Sequence, residues 1–162
     1  MPVLPDGAHP ATRNVLRGTV TMWIDGCPVA VRDHEVLVTR EPDAQVTRWV
    51  LTWLRDPLNI EDCFTLTAED GSGLKVRYSD VHVGELSTNP PPDELWQAAL
   101  LADAEAHVPP EALTHGPAGV YVMRSLLDGR PVGCDGPAEQ LVRPLCLVRD
   151  GTQAPMVIVR TK

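Results

Sequence analysis

Apolar and polar positions alternate with period two from Leu16 onward, the pattern of a strand with one face buried. Val20, Met22 and Ile24 share one parity and Thr19, Thr21 and Trp23 the other. Asp25-Gly26 follows, a pair suited to a type I′ turn because both central residues of that turn need φ > 0. Val29 and Val31 read as the return strand, and Val36 and Val38 as the next. Arg32-Asp33-His34-Glu35 between them reads as a polar turn. Residues 45–54 (QVTRWVLTWL) are β-branched and aromatic, and their second half is apolar on both parities, which suits a strand covered on both faces. A short helix competes there, and periodicity alone does not separate the two.

Phe64, Leu66 and Ala68 alternate with Thr65, Thr67 and Glu69 before Asp70-Gly71-Ser72-Gly73 turns the chain. Leu74, Val76 and Tyr78 then alternate with Lys75, Arg77 and Ser79, so Phe64 to Tyr78 predicts an antiparallel hairpin with one wet face. The parity then inverts, because Val81 and Val83 are apolar where Asp80 and His82 continue the earlier inward set. That inversion requires a bulge or turn near Ser79-Asp80, or an Asp80/His82 pair facing inward to line a pocket.

Residues 89–92 (NPPP) close this β-rich block. The stretch after them, DELWQAALLADAEAH, is rich in Ala, Leu and Glu. Proline precedes it and acidic residues occupy its first turn, which together predict an α-helix over about 92–107. Beyond a Pro/Gly loop at 109–119, Val120 to Leu127 meets Asp128-Gly129, and Leu145 to Val148 meets Asp150-Gly151 before MVIVR, giving two further hairpins. IDGCPV at 24–29 echoes LDGRPV at 127–132, through shared turn chemistry or through a duplicated half-domain. The expected fold is therefore a β-rich α+β domain. It comprises a small antiparallel barrel or sandwich of six or more short strands and one main helix. Residues 1–14, with three prolines, read as a flexible arm before a single domain spanning 15–162. That domain divides into a β block (15–88), the helix (92–107) and β hairpins (119–161).

Composition narrows the classes. At 162 residues with 43% hydrophobic and 22% charged content, the chain suffices for one compact domain. No apolar stretch approaches the ~18 residues of a membrane span, and the one from Trp49 to Leu54 is interrupted by Thr52. The first residues carry neither a basic nor an apolar leader segment, so the expectation is a cytoplasmic protein without membrane contact. Cys27, Cys63, Cys134 and Cys146 form no CxxC, which points to free structural thiols rather than a zinc ribbon or redox pair. Net charge is −8, made of −5 over residues 1–88, −5 over 89–118 and +2 over 119–162. Such a balance repels phosphate backbones and steers a basic protein partner.

No GxGxxG, Walker A, HExxH or GxSxG motif occurs, and no carboxylate pair has a spacing that suggests acid/base chemistry. The sequence thus favours a non-catalytic bacterial binding module, acting by protein–protein contact as accessory or inhibitor/immunity-type proteins do, with no cofactor and no metal. Its candidate partner-binding residues lie on the acidic helix: Asp93, Glu94, Trp96, Asp103 and Glu105. Exposed strand edges offer a route to a homodimer. The first alternative is an OB-like or SH3-like barrel that stacks single-stranded nucleic acid on Trp49 and Trp53, with Arg48, Arg55, Arg77 and Tyr78 beside them. The second is a small-ligand or metal pocket around Asp80 and His82.

Overall fold

The structure is a computed structural model that describes residues 9–10, 16–54, 63–103, 118–137, 139–153 and 155–161. Thirteen strands run through it: β1 (His9–Pro10), β2 (Gly18–Ile24), β3 (Cys27–Arg32), β4 (Glu35–Thr39), β5 (Trp49–Leu54), β6 (Cys63–Thr67), β7 (Gly73–Arg77), β8 (Asp80–Gly84), β9 (Trp96–Asp103), β10 (Ala118–Ser125), β11 (Val132–Cys134), β12 (Val142–Leu147) and β13 (Met156–Arg160). Every pairing is antiparallel.

The pairings close on themselves. β2, β5, β6, β9, β10 and β13 are hydrogen-bonded in that order, and β13 returns to β2. Closure removes the open edges that a flat sheet would expose. The remaining strands, β1 apart, form the hairpins β3–β4, β7–β8 and β11–β12, whose second members meet one another as β4–β12, β4–β8 and β12–β8. The chain thus repeats one plan three times: barrel strand, hairpin, barrel strand.

The register shows the same repetition in the core. Val20, Phe64 and Tyr121 lie opposite Trp49, Trp96 and Met156, and all six are buried. In the hairpins, Val29, Leu74 and Val132 lie opposite Val38, Val83 and Leu147, again all buried. Alternation along each strand sends these side chains to the shared interior.

The expected helix over 92–107 is not present. Pro92–Glu94 makes one 3-10 turn, Leu95 is already extended (φ −115, ψ 145), and Trp96–Asp103 is the strand β9; positions 104–107 lie outside the described residues. Ala and Leu favour a helix locally, but that preference is worth tenths of a kcal/mol per residue. It is outweighed here because a strand places Trp96 against Phe64 and pairs the segment with β10 along its length. No α-helix occurs among the described residues, so the fold is nearly all β rather than α+β; the small antiparallel barrel is present. No helix among them is long and apolar enough to cross a membrane.

Two hairpins also differ from expectation. β6 and β7 pair only at Thr67↔Gly73, because β6 enters the barrel while β7 turns into the hairpin layer and pairs with β8. β12 and β13 do not pair; β12 joins β11, β4 and β8, and β13 joins β10 and β2.

Candidate functional site

The residues of the acidic segment separate into interior and surface groups. Glu94 is 2% exposed, and its Oε1 accepts the Ser87 N–H at 2.7 Å while its Oε2 accepts the Ser87 hydroxyl at 3.0 Å. Lys75 Nζ lies 3.8 Å from the same carboxylate and donates to the Glu85 carbonyl. Glu94 therefore ties the β8–β9 loop to the hairpin layer. Trp96 is fully buried and donates its Nε1–H to the Leu74 carbonyl at 3.2 Å. Neither side chain is available to a partner. Asp93 is half-exposed; Asp103 contributes its backbone to β9 opposite Gly119, and Glu105 lies outside the described residues.

The two tryptophans of β5 do not form an accessible stacking face. Trp49 is fully buried in the barrel. Trp53 is half-buried, donates to the Leu16 carbonyl at 2.8 Å, and meets Phe64 edge-on with ring centroids 5.2 Å apart. Base stacking requires exposed ring faces. Arg48, Arg77 and Tyr78 are exposed, and Arg55 lies outside the described residues.

The parity inversion at Ser79-Asp80 is a two-residue turn. Arg77 pairs with Asp80, and Tyr78-Ser79 reverses the chain between β7 and β8. Asp80 is exposed on this hairpin. His82 is half-buried, opposite Lys75 on one side and Glu35 on the other. Burial pushes its pKa down, and the Lys75 and Arg77 charges reinforce this against the opposing Asp93 and Asp80. Among the described residues, no group of three or more His, Cys, Asp and Glu side chains is arranged to hold a metal ion.

All four cysteines are free; Cys27 and Cys63 are buried, Cys134 and Cys146 half-buried. Burial pushes the Cys134 thiol up to about 11, with Arg143 opposing the shift and Asp25, Cys146 and Cys27 adding to it. Burial raises the Cys146 thiol as well, and two raised thiols are poorly suited to nucleophilic chemistry, which needs a lowered pKa. A shallow open cleft lined by Arg32, Glu41, Pro42, Asp43, Ala44 and Leu141 holds a charged pair already satisfied internally, with Arg32 Nη2 2.7 Å from Glu41 Oε1.

What pattern reading missed is a set of three junctions, at each of which the first turn of one unit meets the hairpin of another. The Asp25 carboxylate accepts from the buried Arg143 of β12 at 3.1 Å. Asp70, held low in pKa by the Ser72 hydroxyl and backbone N–H, also feels His34 of the β3–β4 turn. Arg130 donates to the Ser79 hydroxyl at 2.7 Å and the Tyr78 carbonyl at 3.0 Å, while its Nε is held by Asp128 at 2.6 Å.

The third junction is unlike the others. Arg130 fixes the turn that presents Tyr78, which is 82% exposed with φ +60. A positive φ at the first central residue of a two-residue hairpin is the glycine place of a type II′ turn. A bulky aromatic there costs of order 1–2 kcal/mol. Leu127, another exposed large apolar side chain, sits in the turn that carries Arg130. The available signal was the parity inversion itself, which spans only the two residues Tyr78-Ser79.

A closed six-strand barrel and a layer of three hairpins, built from three four-strand units, define a β-trefoil. Two solved structures share this architecture over nearly the whole chain. A chain in the crystal structure of cytolethal distending toxin from Actinobacillus actinomycetemcomitans is 12% identical with a TM-score of 0.59, covering 89% of this chain and 90% of its own. A chain in the Haemophilus ducreyi cytolethal distending toxin is 12% identical with a TM-score of 0.60, covering 99% of this chain and 88% of its own. At that identity the likeness is one of fold, with bacterial toxin chains as structural neighbours. No protein-family model and no curated protein matches the sequence.

Proposed function

We propose that this protein is a non-catalytic bacterial module that acts by protein–protein contact, as a component of a toxin-type assembly. The observation that carries the reading is Tyr78, a large exposed ring held by Arg130 in a backbone conformation that disfavours it. Interface hot spots favour Tyr, Trp and Arg, and a ring fixed in advance loses little conformational entropy on binding. The fold shared with chains of two distending toxins supplies the context. The net charge of −8 steers a basic partner, while Arg77, Asp80, Asp128 and Arg130 leave the Tyr78 surface locally balanced.

The test is affinity purification of the tagged chain from the producing bacterium, in parallel with Tyr78→Gly and with Leu141→Ser as a surface control. A protein recovered in fixed stoichiometry with the wild type and the control, and reduced at least about tenfold with Tyr78→Gly, supports the reading. A chain that recovers no stoichiometric partner, or a partner indifferent to Tyr78→Gly, overturns it.

A further inference from the structure

Asp-Gly occurs six times in the chain, and five of the pairs are described: Asp25-Gly26, Asp70-Gly71, Asp128-Gly129, Asp135-Gly136 and Asp150-Gly151. In such a pair no glycine side chain shields the glycine nitrogen, which can reach the carboxyl group of the aspartate before it. Four of the five pairs are locked against this. The carboxylates of Asp25 and Asp150 hold the buried Arg143 and Arg124, each at 3.1 Å. Asp70 accepts the Ser72 N–H at 2.9 Å and Asp128 the Arg130 N–H at 3.0 Å, which fixes each carboxylate over its own turn. Three glycine nitrogens are also engaged: Gly71 donates to the Ala68 carbonyl, Gly129 to the Ser125 carbonyl and Gly151 to Gln153 Oε1. Asp135-Gly136 differs on both counts. It is exposed just beyond β11, and neither the Asp135 carboxylate nor the Gly136 N–H has a hydrogen-bond partner among the described residues.

We propose that Asp135-Gly136 is a self-modification site, at which the folded chain converts Asp135 to isoaspartate. The Gly136 nitrogen forms a bond to Asp135 Cγ and gives up its proton, which leaves with the carboxyl OH as water, and the product is a cyclic succinimide. Water then adds to one of the two ring carbonyls. Opening at Cγ restores aspartate. Opening at the former main-chain carbonyl leaves that carbon as a free carboxylate and routes the backbone through the side chain, one methylene longer. Water is the only other reactant, released in the first step and consumed in the second. The added atom falls in the connection between β11 and β12, where the Asp135 N–H donates to the Pro144 carbonyl at 3.2 Å. Arg143, next to Pro144, ties this hairpin to Asp25, so isomerisation strains the contact between the third unit and the first from its exposed side.

Incubation of the intact chain at about pH 6 tests this, with timed aliquots denatured and digested by endoproteinase Asp-N. The protease cleaves before aspartate and not before isoaspartate. Isomerisation at Asp135 therefore replaces the 128–134 and 135–149 peptides by one uncut 128–149 fragment, measured by mass spectrometry against the zero-time sample. Asp135 is expected to convert at least about tenfold faster than Asp25, Asp70, Asp128 or Asp150, because it lacks the hydrogen bonds that hold their reacting groups apart. In denaturing urea those bonds are gone, and the five rates should converge. Equal native rates at all five pairs, a faster rate at one of the locked pairs, or no conversion of native Asp135 over a period in which the urea sample reacts would each overturn the proposal.

Discussion

Trp49 and Trp96 occupy equivalent places in the first two units, each opposite an inward residue of the unit's first strand and each fully buried. They differ in one atom's surroundings. Trp96 Nε1 donates to the Leu74 carbonyl at 3.2 Å, whereas Trp49 Nε1 is buried with no hydrogen-bond partner. Replacing either by Phe removes the same atoms from the same kind of place, so the cavity costs largely cancel in a comparison. Trp96→Phe also strands a buried carbonyl, at about 1–3 kcal/mol, while Trp49→Phe removes a donor that was already unsatisfied. Trp96→Phe is therefore expected to destabilise by at least about 1 kcal/mol more than Trp49→Phe. At this chain length that is about 2–4 °C in Tm. Urea unfolding of both variants with unchanged m-values reads the difference directly. Equal losses, or a larger loss at Trp49, would refute the assignment of the two indoles. A loss below about 0.5 kcal/mol at Trp96 would place it on the surface, as its candidate role in partner binding required.

Lowering the pH should expose the suppressed basicity of His82. Its folded pKa lies below the ordinary 6.5, so in the window between the two the unfolded chain binds more protons. Stability is then complete above 6.5 and is lost as the pH falls toward the folded value; His82→Gln should abolish that slope in urea titrations at stepped pH. With its pKa pushed up to about 11, Cys134 is ~0.1% thiolate at about pH 8, so iodoacetamide should label it at least ~100-fold more slowly than an unperturbed thiol. Peptide mass spectrometry of time points measures this, and rapid native labelling would contradict the burial. Arg143→Ala should cost about 2–3 kcal/mol by breaking the pair with Asp25, which keeps some solvent access, whereas Arg143→Met should cost less because it refills the space. Chemical denaturation of the two variants checks the order.

The parts of the fold that depend on neighbouring residues were legible. Asp25-Gly26 takes φ of 52 and 75, and Asp33-His34 takes 52 and 66, as type I′ turns require. What escaped was decided by distant partners. WQAALL at 96–101 has helical composition, yet it matches WVLTWL at 49–54 in its leading Trp and in apolar residues two and four places on. Its extended form follows from the contact with Phe64 and β10. The echo of IDGCPV and LDGRPV marks equivalent turns in the first and third units, with Pro28 opposite Trp23 and Pro131 opposite Arg124. The middle unit hides its copy because Gly73 stands in the proline's place, opposite Thr67. A Cβ on Gly73 would lie 2.1 Å from Leu86 Cγ, so Leu86 of the β8–β9 loop packs where the proline ring stands in the other two units. Candidate site residues fared according to depth: Arg77 and Tyr78 are exposed, while Glu94, Trp96 and Trp49 serve the interior.

A threefold scaffold gives its own measure of where stability alone does not explain the sequence. At equivalent places, identical physical demands should be met by similar solutions, and the buried triads meet this expectation. The junctions do not. The hairpin of the first unit turns on Asp33-His34, residue types that tolerate positive φ, while the second turns on a tyrosine in the place of glycine. The first unit passes from Trp23 to Pro28 with four residues between, and the third passes from Arg124 to Pro131 with six, which accommodates Leu127. Both departures fall at the junction that Arg130 holds together, and both add exposed apolar surface there. The first unit makes its hairpin turn with residue types that tolerate positive φ, so the backbone cost at Tyr78 is one the fold does not impose at every such turn. If the proposed binding role holds, the Tyr78 junction, where the ring is exposed and its backbone is strained, is the surface to test before the acidic segment, whose Glu94 and Trp96 are buried.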